Sequence, residues 1–216
     1  CHLCWRSSHS FFGVTHTMPD SMGIVIETPY GSIVTPGDYK LDQIDGKVSD
    51  EEEKEYAFFD KEKVLLLMTD STNIENEGFS IPEVRVHEGL DKLIRQGTGR
   101  IIISAFASSI TRLMKIVEIA ESLGKKVILD GRSLKTNMEI CEQAGIFKPK
   151  KGTIIPVEDA DKYPPNKVLI MMTGAQGEEF ASLVRAANKT HKKFTIRAGD
   201  TIILSSSIVP GNEIAV

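Results

Sequence analysis

Apolar and polar positions follow two rhythms along the chain. Near the start, residues 23–28 (GIVIET) and 32–36 (SIVTP) are β-branched runs joined by Pro-Tyr-Gly, the pattern of an antiparallel hairpin. From residue 64 onward, short apolar runs of buried-strand length recur: VLLLM at 64–68, then RIIISAF near 101, KKVILD near 126, KVLIMMT near 167 and DTIILSS near 200. Helical stretches separate most of them. SSITRLMKIVEIAESLG sets Ile110, Leu113, Val117, Ala120 and Leu123 on one face, with Ser108 or Ser109 as its N-cap and Gly124 as its stop. SLKTNMEICEQAG ends in the same way on Gly145, and GEEFASLVRAANKTHKK opens acidic and closes basic, as suits the helix dipole. Alternation of this kind predicts an α/β fold: a hairpin region, then a Rossmann-like parallel sheet covered on both faces. The acidic stretch DQIDGKVSDEEEKEYAFFDKEK between the two rhythms reads as a solvated linker or exposed helix face. It divides the chain into a first domain at 1–60 and a second at 61–216.

Composition narrows the partners. The net charge of −4 excludes a surface that is basic throughout, while leaving room for a local basic groove. Cysteine is limited to Cys1, Cys4 and Cys141, an odd and sparse set that argues for a reducing compartment and against a disulfide framework. No apolar run approaches a membrane span and no secretory pattern is present, so the expected location is cytoplasmic, with no membrane partner. CHLC has the spacing of half a zinc site, but no second half follows. The chain lacks an initiator Met, and its closing VPGNEIAV reads as a turn leading into a first helical turn. The expectation is a piece of something longer.

Ligands of parallel α/β sheets bind beyond the C-terminal strand ends. Four segments qualify. TDSTN offers Asp70 with the hydroxyls of Ser71 and Thr72. FASS leads into a helix through Ser108 and Ser109, with Arg112 one turn along. TGAQGEE carries Gly174, Gln176 and Gly177 at a strand-to-helix turn, and SSSIVPGNE carries Ser205 and Ser206. Singly, each suits a cap or a tight turn. Together, helix-terminal amides, hydroxyls and an arginine can hold a phosphate chain. TGAQGEE has no Gly-Lys-Ser/Thr and no G-x-G-x-x-G pattern, which disfavours tight nucleoside triphosphate binding.

The hairpin poses a separate question. His16 precedes its first strand and Asp38 follows its second, so both fall at its open end. An imidazole and a carboxylate brought together suit a divalent metal or an acid/base pair. A surface histidine beside a capping aspartate is the purely structural alternative.

VTHTMPDSMGIVIETPYGSIVTPGDYKLDQ resembles the metallo-β-lactamase part of ribonuclease J proteins. LLLMTDSTNIENEG, ISAFASSITRL and TGAQGEEFASLVRAANKTHKKFTIRAGDTIILSSSIVPGNE resemble, in the same order, that family's β-CASP domain. The likeness runs from about Val14 to Glu213. It implies a two-zinc endonuclease and 5′-to-3′ exonuclease acting on RNA with a 5′ monophosphate, in which a zinc-bound hydroxide attacks the phosphodiester. On that likeness His16 is a ligand of one zinc and Asp38 bridges the pair. Asp70 is the acidic residue of the first β-CASP motif, orienting a histidine near the metals. The Ser-, Thr- and Gly-rich strand ends then line the RNA channel and the 5′-phosphate pocket. Family members commonly form homo-oligomers. The likeness is incomplete: no His-x-His-x-Asp-His run precedes His16, residues 1–13 do not match, and the later β-CASP histidines are absent. Two ligands cannot hold a zinc pair, so this chain alone is expected to be inactive. Two other readings stay open, a non-catalytic RNA-binding or assembly module and a Rossmann-like small-molecule binder.

Overall fold

β-Branched alternation in the first part of the chain builds an open sheet. The computed structural model describes residues 8–72, 74–179, 181–206, 211, 212 and 214. Cys1 and Cys4 of CHLC, and residues 207–210 and 213 after the last strand, lie outside the described residues. The chain divides into two compact units, Cys1–Arg85 and Val86–Val216.

In the first unit, β1 (His9–Gly13), β2 (Met22–Thr28) and β3 (Gly31–Gly37) pair antiparallel. Thr28 registers with Gly31 across Pro29 and Tyr30, so the expected hairpin is present. A short ribbon of β4 (Gln43–Ile44) and β5 (Lys47–Val48) follows, then α1 (Asp50–Tyr56). Ser49 caps α1 by accepting a hydrogen bond from Glu52 N, the local logic of an S-x-x-E start. Glu52 itself is buried and accepts from the Asp42 amide.

The acidic stretch is therefore not a linker. Glu52 apart, most of its charges face solvent, but Tyr56, Phe58 and Phe59 emerge from it onto Phe12, at ring-centroid distances of 6.1, 5.0 and 5.6 Å. With the inward-facing Val14, Val25 and Val34 they form the core of this unit. An aromatic ring buries far more area than a carboxylate can keep in water, so three rings at the end of a charged run are enough to dock it.

β6 (Val64–Thr69) is the second correction. It reads as a buried strand that opens the parallel sheet, yet it pairs parallel with β3 at the edge of the first sheet, in the order β1-β2-β3-β6. All its residues are exposed. An apolar run of this length identifies a strand but not its partner. Here the partner is reached through α1 and the 3₁₀ turn Ala57–Asp60, a crossover short enough to return the chain to β3. By its contacts the segment 61–85 groups with the first unit rather than with residues 86–216.

The second unit is the alternating layer. α2 (Glu83–Gln96) enters it, followed by β7 (Ile101–Ala105), α3 (Ile110–Ser122), β8 (Lys126–Asp130), α4 (Arg132–Gln143), β9 (Val168–Met172), α5 (Ser182–Ala187) and β10 (Thr201–Ser205). The four strands are all parallel in the order β10-β7-β9-β8. Period-2 alternation sends Ile101, Ile103, Val127, Leu169 and Met171 to a core beneath α2, α3 and α4. Ile102, Ile128, Val168 and Ile170 go to the opposite core with Leu183, Ala186 and Phe194. This mixed α/β arrangement, with one mainly antiparallel and one parallel sheet, is the expected fold class.

The expected helical face of α3 is buried, and α3 and α4 stop just short of Gly124 and Gly145, whose φ angles are positive. α5 is shorter than its pattern suggests. Glu178 and Glu179 lie in the turn before it, and Lys189 in the left-handed region (φ 59°) ends it, with Thr190 and His191 amides donating back to Arg185 O. Among the described residues no helix is long and apolar enough to cross a membrane.

Arg100 and Asp200, just ahead of β7 and β10, form a buried pair. Arg100 Nη2 stands 2.6 Å from Asp200 Oδ2, Nε donates to Oδ1 at 2.9 Å, and Phe194 stacks beneath the guanidinium at 4.7 Å. A second Nη2 bond to Thr195 O fixes the incoming loop. Breaking such a pair by removing one partner leaves an uncompensated buried charge. Asp200→Ala is therefore expected to destabilise this unit by about 3–5 kcal/mol in urea unfolding, while Asp91→Ala, which breaks an exposed pair with Arg95, should shift the midpoint barely at all.

Candidate functional site

Two sets of strand ends carry the candidate residues, one in each unit. In the first unit, β3 and β6 run parallel and Gly37 registers with Thr69. Asp38 and Asp70 are the next residues of each strand, so both carboxylates leave the sheet at the same edge. The loop between β1 and β2 reaches the same edge: Lys40 N donates to Thr15 O at 2.7 Å, and Val14 N to Ser21 O at 2.9 Å. His16 is thereby brought beside them, half-buried, its Nδ1 3.3 Å from Thr17 Oγ1. Asp38 is exposed.

Asp70 folds its carboxylate over the following turn and accepts from Thr72 N at 2.7 Å, an Asx-turn. The Thr72 amide, then the Thr72 hydroxyl, the Ser71 amide and the nearby His16 charge all favour the ionised form and hold its pKa below the usual aspartate value. Ser71 and Thr72 are exposed. Thr72 commits both its amide and its hydroxyl to the Asp70 carboxylate, which leaves the Ser71 hydroxyl at the surface.

Whether these side chains fit a zinc pair is a matter of counting ligands. Among the described residues no group of three or more His, Cys, Asp or Glu side chains could hold a metal ion. Catalytic zinc needs three protein ligands for one ion. His16, Asp38 and Asp70 converge on one edge without making a complete centre.

In the second unit the ends of β7, β9 and β10 are laced together. Arg112 on α3 donates through Nη1 to Ser205 O at 2.9 Å, and Gln176 Nε2 donates to Ser206 Oγ at 3.3 Å. Ser206 Oγ reaches Ala175 O, and Asn212 Nδ2 reaches Gln176 Oε1. Ser205 Oγ is buried with no hydrogen-bond partner among the described residues, a donor left for something else.

The TGAQGEE turn is closed on itself. Gly177 N donates to Gly174 O, and Gln176 N donates to the Glu178 carboxylate. Gly174 sits at φ 112°, where a Cβ would stand 2.9 Å from that of Ala181, so its glycine is a packing requirement. Ser109 is the buried N-cap of α3, yet its hydroxyl makes no capping bond, and Ser108 beside it is exposed. Thus Ser108, Ser109, Ser205 and Ser206 keep hydroxyls at the strand ends, whereas the glycines serve the backbone.

The end of β8 carries the same sequence signal: ILD-Gly-Arg-Ser is also a strand running through glycine into a helix. Asn137 of that helix donates to Ala107 O at 2.7 Å and steadies the β7–α3 turn. His191 lies in the loop beyond the end of α5. It is buried, with Nε2 2.8 Å from Asp130 Oδ2, an ion-pair distance without hydrogen-bond alignment. Its Nδ1 accepts from Lys193 N. Both ring nitrogens are engaged, so His191 braces the loop against β8.

The chain matches known proteins along most of its length. Residues 98–216 match the family model described as "Ribonuclease J, beta-CASP domain". Ribonuclease J of Corynebacterium glutamicum is 43% identical over 208 residues, covering 95% of this chain and 29% of the relative. Ribonuclease J of Thermus thermophilus is 42% identical over 207 residues (95% and 36%), and Ribonuclease J2 of Bacillus subtilis is 35% identical over 205 (95% and 37%). The chain thus spans about a third of the length of the curated relatives it matches. A crystal structure of a protein of unknown function from Enterococcus faecalis shares the fold, with a TM-score of 0.57 at 18% identity over 94% of this chain and 53% of that one.

The depressed Asp70 pKa has a directional consequence. Whatever stability the ionised turn adds is fully present above the unfolded value and is lost only as pH falls through the lower native one. An NMR titration of the Asp70 carboxyl should give a midpoint below the roughly 3.9 of a free aspartate, moving upward in Thr72→Val. A midpoint unaffected by that change would mean that the hydroxyl does not hold the turn.

Proposed function

Because the chain belongs to the ribonuclease J family through its β-CASP domain, we propose that it is the RNA-gripping part of a metal-dependent ribonuclease that hydrolyses RNA with a 5′ monophosphate in RNA processing and decay. The observation that carries this reading is the edge of polar strand ends in the second unit, where Arg112, Gln176, Ser205 and Ser206 interlock and a buried hydroxyl lacks a partner among the described residues. Hydroxyls and amides grip phosphate oxygens without reading bases, which suits an enzyme that works along a strand whatever its sequence.

In this reading His16 and Asp38 are two of the ligands of a zinc pair. The remaining ligands lie beyond the described residues, which do not complete a centre. Asp70 acts on that edge through its fixed orientation and its retained negative charge. It is a positioning residue, because its carboxylate is already engaged by the Thr72 amide.

The same incomplete ligand set favours a second reading, an RNA-binding or assembly module without catalysis. Elemental analysis and a cleavage assay on 5′-monophosphorylated RNA separate the two. This chain alone should contain almost no zinc and cut nothing, while the full-length protein should do both. In the full-length protein, Asp38→Ala should abolish cleavage and leave RNA binding nearly intact. A residue that only supports a metal ligand costs about 10–100-fold when lost, so removal of a bridging ligand should exceed that. Unchanged turnover would sink the metal assignment, and an inactive full-length protein that still binds RNA would establish the module.

A further inference from the structure

The second unit has another opening at its strand ends, lined by none of the residues assigned above. It lies between the ends of β8 and β9 as a cleft of about 920 Å³, with Arg132, Ser133, Asn137, Thr173, Ser182 and Arg185 among its walls. Gly131 forms the pinch. Its φ is 138°, and a Cβ there would stand 2.7 Å from Thr173 Cγ2, so only glycine lets the two walls approach. α4 starts on this glycine with no side-chain cap, leaving the first amides of a twelve-residue helix to an acceptor from elsewhere.

Arg185 supplies an independent observation. Its Nε is buried without a hydrogen-bond partner among the described residues, while Nη2 makes a long bond to Ser182 Oγ at 3.4 Å. A buried charged donor left unmade is costly, a cost that an arriving acceptor removes. Of the carboxylates that share a recess with Arg185, Glu158 pairs with Lys193 at 2.7 Å and Asp130 stands 2.8 Å from His191. Arg185 also lines an adjoining recess of about 300 Å³, where Lys135, Lys192 and Lys193 stand with Asp130, Glu158 and His191. The walls of the cleft itself thus carry two arginines and several hydroxyls with no carboxylate among them.

We infer that this cleft is an anion subsite for a phosphodiester of single-stranded RNA, distinct from the cluster of Arg112, Gln176, Ser205 and Ser206. Arginine's planar fork matches two phosphate oxygens at once. The Ser133 and Ser182 hydroxyls and the α4 amides approach from other directions, as a tetrahedral anion requires. A cleft this open, with a second recess beside it, suits a passing strand better than a lone ion. The inference rests on the RNA reading above and adds a second point of grip.

The test uses the full-length protein and single-stranded RNA with a 5′ monophosphate, its binding followed by anisotropy across a salt series. Arg132 is exposed, so Arg132→Gln should leave the fold intact. Arg185→Lys keeps the charge but loses the fork. Each variant should weaken binding, and Arg132→Gln should lower the slope of log K against log salt by about 0.7, the value of one phosphate contact on a single strand. Unchanged affinity and slope in both folded variants would overturn the inference. So would a thermal upshift by inorganic phosphate that the variants lose while RNA binding stays unchanged, since the cleft would then serve free phosphate. If Gln176→Ala weakens RNA binding and the arginine variants do not, the inference alone fails. If the wild-type protein binds no RNA, the functional reading falls with it.

Discussion

Parallel pairing of β10, β7, β9 and β8 is the constraint on which the second unit depends. Parallel strands cannot be joined by tight turns, so each must be followed by a crossover, and every crossover begins at the same edge of the sheet. That edge then collects backbone turns, helix starts and their polar side chains, whatever the apolar core beneath contains. The buried Arg100–Asp200 pair acts at the opposite edge. By tying the starts of β7 and β10 it sets the register, Ile101 beside Thr201 and Ala105 beside Ser205, that carries Ser205 to the level of the β7–α3 turn.

The first unit reaches a similar result by other means. Its antiparallel hairpin returns the chain to its starting edge, and β6 joins β3 in parallel so that a third segment ends there too. Docking Tyr56, Phe58 and Phe59 on Phe12 makes this possible, because the α1 segment must fold back over the sheet before β6 can run beside β3. Asp70 joins Asp38 at this edge because of aromatic packing some distance away, and it then fixes its own carboxylate through Thr72.

Much of this was legible from the chain alone, for reasons that differ by element. The hairpin and the strands β7 to β10 carry period-2 or continuous β-branched runs bounded by turn residues, signals that are local and therefore readable. The convergence of His16 with Asp38 follows from hairpin topology alone. The partner of β6 was not readable, since nothing within Val64–Thr69 distinguishes pairing with β3 from pairing with β7. The docking of the acidic stretch was hidden by its charges, though the Tyr-Ala-Phe-Phe spacing was there to be weighed. The role of His191 depends on Asp130, distant in sequence and adjacent only once β8 and the loop after α5 are in place.

Glycine at a strand end has opposite meanings at two neighbouring positions of the same sheet edge. At Gly174 the missing side chain makes room for Ala181, and the turn's amides are spent on its own carbonyl and on Glu178. At Gly131 it lets Thr173 close against the start of α4, whose amides have no capping side chain, and an arginine nitrogen is buried nearby without a partner. The pattern strand–glycine–helix is common to both, so motif alone cannot rank them. The number of donors left unspent after folding can, and by that measure the β8–β9 cleft has more to offer an anion than the turn whose sequence looks more like a phosphate loop.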